Sequence, residues 1–213
     1  MKAFIEAIII FGVLFFRLPV NNIIPEGPVE FSINIHIIRF FYFTAPSLAL
    51  IWYLLLKSKS LKEWGISTPK KQDFFAFIIS LPALVLVSTT VFFVSSYLDN
   101  NSVSVPRLLP PHDIISWIIL VFSCISSALL EESYFRFYLL SKHEDMKINS
   151  KTAVFMSTLL FSYCHIYEGP WGFLNSAMCG VVLAYVFLRF RSLYGLVFAH
   201  AAYNVMAYLI GAA

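Results

Sequence analysis

The stretch that decides the reading is Ala128-Leu129-Leu130-Glu131-Glu132-Ser133-Tyr134-Phe135-Arg136. Two adjacent glutamates and an arginine lie inside an apolar run that extends over 113–140. A run of this length matches the roughly 20 residues needed to cross a hydrocarbon layer about 30 Å thick. Ionisable groups placed there cost at least about 2.5 kcal/mol each on insertion scales, so they point to function. On a helix, Glu132 and Arg136 stand at i, i+4 with the acid on the N-terminal side, the favourable order for an ion pair. Glu131 projects about 100° away and has no cation at that spacing. It is the better candidate for a carboxylate suited to general-base work.

Outward from this segment the chain keeps the same character. Of its 213 residues, 59% are hydrophobic and only 13% charged, and 22 are Phe. Mean hydropathy is +0.78. An ordinary soluble domain is roughly 45–50% apolar and 25% charged, and could not hide this much apolar surface. Disorder is excluded, because it needs low hydrophobicity and high charge. The net charge of +3 carries no nucleic-acid signal, since the charges sit in small groups between apolar runs.

Seven apolar runs, near 3–20, 36–56, 74–98, 113–140, 152–167, 171–190 and 192–212, predict an all-α polytopic membrane bundle in a single domain over 1–213. The runs are continuous rather than alternating, which argues against a membrane β-barrel. The first is the weakest, being short and interrupted by Glu6. It is followed by Arg17-Leu18-Pro19-Val20-Asn21, with no small-x-small cleavage site of a signal peptide. Pro46 and Pro82 are expected to kink their spans, and Pro106, Pro110 and Pro111 mark a loop.

Orientation follows from the Lys/Arg bias. Lys2, the five lysines of 57–73, Lys142, Lys147, Lys151, Arg189 and Arg191 share one side if the N-terminus is cytoplasmic and the C-terminus outside. Arg17 and Arg107 fall opposite. The small size suggests a prokaryotic plasma membrane. Glu6, His36 and Arg39 lie near span ends, where snorkelling or a structural ion pair accounts for them. Cys124, Cys164 and Cys179 sit in apolar stretches without CxxC spacing and read as small buried hydrophobes.

Two further segments carry chemistry. Phe161-Ser162-Tyr163-Cys164-His165 puts Phe161 and His165 on one helix face, and His200-Ala201-Ala202-Tyr203-Asn204 does the same for His200 and Asn204. Taken singly, His165 reads as a satisfied core histidine, and Ala201 and Ala202 as ordinary close helix packing. Depth joins them. At 1.5 Å per residue from Lys142, Lys151 and Arg191, the residues Glu131, His165 and His200 lie roughly 16, 21 and 14 Å into the membrane. They can therefore meet at one level.

The order Glu-Glu-x-x-x-Arg, Phe-x-x-x-His, His-x-x-x-Asn resembles the CPBP intramembrane protease family, which includes type II CAAX prenyl endopeptidases and bacterial Abi-type proteins. The resemblance covers roughly 113–210, with Glu131-Glu132-Ser133-Tyr134-Phe135-Arg136, Phe161 to His165, and His200 to Asn204 all in order. It implies peptide-bond hydrolysis. Glu131 would match the family's essential first glutamate and His165 its partner in activating water. His200 and Asn204 would match the oxyanion-stabilising groups, and Glu132 and Arg136 the supporting ends of the first motif. Implied partners are the bilayer and a peptide or protein substrate, such as a C-terminal tail or lipidated segment. Family members have been described both as metalloproteases and as glutamate-dependent proteases. Two His and one Glu could bind zinc, but no His-Glu-x-x-His is present and metal ligation would use up the proton-transfer groups, so no cofactor is favoured. A non-catalytic binding or immunity protein of the same fold is the alternative, and a proton-coupled transporter, which also uses buried Glu and His, is a third.

Overall fold

The computed structural model describes residues 2–16, 29–64, 66, 68–98 and 109–210. Arg17, Pro106 and Arg107 lie outside them.

Among the described residues the apolar runs form seven helical rods. These are α1 (Lys2–Leu14), α2 (Ile33–Ser58), α3 (Lys71–Leu98), α4 (Ile114–Leu140), α5 (Ser150–Tyr163), α6 (Gly169–Phe190) and α7 (Leu193–Ile210). Five have the length and apolarity to cross a membrane: α2, α3, α4, α7, and α6 together with the short 3₁₀ turn Ile166–Glu168. At 13 and 14 residues, α1 and α5 are shorter than a full crossing. Large apolar side chains such as Phe41, Phe93, Ile118 and Tyr185 stand exposed around the outside. That is the surface a bilayer covers and water does not.

Local sequence explains the breaks. The α2 rod passes through a π turn at Phe40–Thr44, and Pro46, which has no N–H to donate, follows directly. The α3 helix runs on through Pro82. The α4 rod starts at Asp113, whose carboxylate accepts from the Ile115 and Ser116 amides at 3.0 Å each. Asn149 caps α5 through the Thr152 amide at 2.8 Å. The apolar run 152–167 nonetheless stops being α-helical at Tyr163. Gly169, at φ +80°, takes a conformation that favours glycine, and Pro170 stands at the start of α6, so the chain turns there. A tight hairpin at Arg189–Ser192 joins α6 to α7, with Arg191 in the left-handed region.

Packing between the rods brings distant segments together. The α3 helix lies against α6 and α7, α4 against α7, and α5 against α6. At Gly195 on α7 an added Cβ would come within 2.3 Å of the Asp73 carbonyl oxygen and 2.7 Å of Ala76 Cβ, so α3 and α7 touch there. Asp73 also accepts from the Ser192 hydroxyl, which ties the start of α3 to the hairpin. The α1 helix docks on α4. Tyr134 donates to the Ala7 carbonyl at 2.7 Å, Tyr138 donates to Glu6, and Lys142 pairs with Glu6 at 3.7 Å. His36 meets Ser123 of α4 at 2.7 Å and stacks on Phe31. Structural contacts thus account for Glu6 and His36. Cys124 and Cys179 are buried, Cys164 half-buried, and none is in a disulfide.

Candidate active site

The last eight residues of α4, Ser133–Leu140, form a π-helical segment, and every one is buried. Such segments are concentrated at functional sites. Glu131 and Glu132 end the α-helical part immediately before it. Glu132 and Arg136 are both fully buried and pair at 3.2 Å between Oε2 and Nε, as their spacing predicts. The guanidinium also donates to the Gly180 carbonyl of α6 at 3.4 Å and lies 4.7 Å from the centre of the Phe161 ring. Arg136 therefore holds α4, α5 and α6 together beneath the site.

His200 enters from α7, where Ala199 and Ala201 are small enough to let the helices close up. Its two ring nitrogens meet the two glutamates. Nδ1 lies 2.9 Å from Glu132 Oε1, and Nε2 lies 3.7 Å from Glu131 Oε2. A carboxylate can only accept, so Nδ1 donates to Glu132 and the ring orientation is fixed. The two acids are unequal. Glu132 is sealed and spent on Arg136 and His200, while the Glu131 side chain keeps 19% of its surface accessible. Glu131 Oε2 has no hydrogen-bond partner among the described residues.

His165 sits at the end of α5, where the helix gives way to the 3₁₀ turn. Its Nδ1 lies 2.9 Å from the Phe161 carbonyl. A carbonyl cannot donate, so Nδ1 carries the hydrogen and Nε2 is turned elsewhere. The Phe161 ring stands between the two histidines, 4.9 Å from that of His165 and 6.0 Å from that of His200. His165, His200 and Asn204 line one cavity of about 90 Å³. A water-sized group needs about 10–15 Å³, so several fit. Glu131 and Glu132 stand behind His200 and do not line this cavity. The structure thus puts Glu131, Glu132, Arg136 and His200 in one contact network. His165 and Asn204 join through the cavity, without direct contact to the glutamates.

The same cavity has further walls. Glu168, Asn175 and Cys179 come from α6 and the turn before it, and Tyr203 from α7. Ser88 of α3 bonds to Asn175 at 2.9 Å and to Tyr203 at 2.6 Å. The available signal was spacing: Asn175 and Cys179 stand four residues apart on one face of α6.

Among the described residues no three His, Cys, Asp or Glu side chains converge to hold a metal ion. Both nitrogens of His200 are directed at carboxylates, and His165 Nδ1 is held by a carbonyl.

A family model described as Rce1-like, type II CAAX prenyl endopeptidase, matches residues 113–206. This segment is similar to the Rce1-like family. It is a little under half of the chain and contains Glu131, Glu132, Arg136, His165, His200 and Asn204. No curated protein and no solved structure matches the chain. The Rce1-like match and the five long apolar helices together indicate a protease embedded in a membrane.

Proposed function

We propose that the protein is an intramembrane endopeptidase that cleaves the tail of a membrane-associated peptide or protein with a glutamate-activated water. The observation that carries this reading is the unequal pair of carboxylates on the two nitrogens of His200. Glu132, neutralised by Arg136, holds the imidazole in place. Glu131, with a free oxygen and partial access, takes the proton from water and returns it to the leaving amine. His165 orients that water through Nε2. His200 through Nε2, which at 3.7 Å from Glu131 is not hydrogen-bonded to it, and the Asn204 amide donate to the oxyanion of the tetrahedral intermediate, where low dielectric strengthens each bond. The Lys/Arg distribution supports a cytoplasmic N-terminus in this reading.

The test is cleavage of a farnesylated CAAX peptide, carrying a fluorophore and quencher across the scissile bond, by the purified full chain in proteoliposomes. Wild type cleaves, while Glu131→Gln, His165→Ala and His200→Ala each lose at least about 100-fold, the usual contribution of a positioned acid–base group. Cleavage by Glu131→Gln at the wild-type rate overturns the mechanism. Chelators leave the wild-type rate unchanged, whereas recovery only on adding a divalent metal refutes metal-free chemistry.

A further inference from the structure

Ser88, Asn175 and Tyr203 come from three different helices, α3, α6 and α7, and close a ring of hydrogen bonds in the cavity wall. Ser88 donates to Asn175 Oδ1 at 2.9 Å, Asn175 Nδ2 donates to the Tyr203 hydroxyl at 3.2 Å, and Ser88 and Tyr203 oxygens are 2.6 Å apart. Hydrogen counting fixes the third bond. Each hydroxyl has one hydrogen, and that of Ser88 is already given to Asn175, so Tyr203 donates to Ser88. The ring then has no free hydroxyl hydrogen. The Asn175 amide, however, has two N–H groups and the ring uses one. Turning the amide over would reverse all three bonds and set Nδ2 beside Cys179 Sγ, so the spare donor belongs to the orientation in which Oδ1 faces Ser88 and Cys179. The remaining neighbour, Cys179 Sγ, lies 3.8 Å from Asn175 Oδ1, on the acceptor side.

A carboxamide held at both its atoms and retaining one donor is a preorganised binding group. Asn175 lines the same cavity as His165, His200 and Asn204. We infer that Asn175 donates its spare N–H to a backbone carbonyl of the peptide substrate, and that Ser88 and Tyr203 are positioning residues that aim it. The inference rests on the endopeptidase reading above. Its chemistry is recognition of an extended peptide backbone, independent of side chain. It assigns a substrate-holding role to a face of α6 that none of the three catalytic motifs includes. Ground-state binding of this kind acts on KM more than on kcat.

The test uses the full chain in proteoliposomes with the farnesylated fluorogenic CAAX peptide. Asn175→Asp keeps the shape but replaces the spare donor with an acceptor, and KM rises roughly tenfold, about one lost hydrogen bond, with kcat falling by less. Tyr203→Phe and Ser88→Ala, which loosen the amide without removing its donor, raise KM by a smaller factor. Affinity of the same labelled peptide for each variant in a Glu131→Gln background, read by fluorescence anisotropy, reports the donor without turnover. A thermal melt of each variant shows that it is folded. Wild-type KM and affinity in both Asn175→Asp and Tyr203→Phe overturn the inference, as does a loss confined to kcat. Absence of cleavage by wild type, with the Asn175-dependent affinity intact, overturns the endopeptidase reading and leaves the binding role standing.

Discussion

Replacing Arg136 with Met removes the guanidinium beneath the site and leaves Glu132 sealed without that counter-charge. The two groups are 3.2 Å apart and neither has any exposed side-chain surface. At that separation the attraction is about 5 kcal/mol for an effective dielectric constant of about 20. Loss of one partner of a buried pair usually costs about 3–5 kcal/mol, because the other charge stays buried and uncompensated. The Gly180 carbonyl and the Phe161 ring lose a neighbour as well. At roughly 2–4 °C per kcal/mol for a chain of this size, melting in detergent falls by about 6–20 °C. The double variant Arg136→Met, Glu132→Gln recovers most of that stability, since no charge is then buried alone. Both are measured by thermal denaturation in the same micelles. If Arg136→Met melts with wild type, or the double variant is no better than the single, the pair is not a buried ionic contact and His200 is not held in the way proposed.

Gly195→Ala forces a methyl group against the Asp73 carbonyl oxygen and Ala76, and overpacking of this kind costs about 1–3 kcal/mol. A thermal melt checks it, and an unchanged midpoint would mean that α3 and α7 are not in contact at that point. Tyr134→Phe deletes the buried bond to the Ala7 carbonyl and destabilises α1 docking by about 1–2 kcal/mol, seen as faster amide exchange across Lys2–Leu14 with the rest of the chain unaffected. The Ser116 hydroxyl and the Ser116 and Ile115 amides hold the Asp113 carboxyl below its ordinary value. Its contribution is therefore fully present above the ordinary carboxylate range and is lost as pH falls through the lowered value. Asp113→Ala removes that part of the acid-side slope of melting temperature against pH, and an identical slope in the variant counts against the cap.

The rods themselves were legible, because long apolar runs have few other outcomes. The Glu132–Arg136 pair was legible too, since i, i+4 geometry is local and survives the change to π geometry at Ser133. Contacts between rods were harder to read. That His200 presents one nitrogen to each glutamate depends on how closely α7 approaches α4, and spacing along either helix does not encode it. The π segments escaped for a related reason, since tertiary packing around Ser133–Leu140 selects the wider turn. Asn175, Ser88 and Tyr203 are silent in the sequence because neutral polar groups on apolar helices raise no charge signal, and their partners lie 28 to 115 residues away. The early end of α5 is visible only once Gly169 and Pro170 are recognised as the start of the next helix.

The shortness of α5 bears on where the second reactant comes from. Twelve residues separate Lys151 from Tyr163, a rise of about 18 Å. A rod that stops there in a layer about 30 Å thick leaves the Cys164–Glu168 backbone to continue without regular α-helical bonds. Lipid cannot satisfy such backbone, which persists at this depth only against protein or water. The turn that carries His165 keeps its own local bonds, the His165 and Glu168 amides donating to the Ser162 and His165 carbonyls at 2.9 and 3.0 Å, and it stands at the cavity that His165 and Glu168 line. A hydrolase buried in oil must import water as well as substrate, and a helix cut a few residues short is an economical way to admit it.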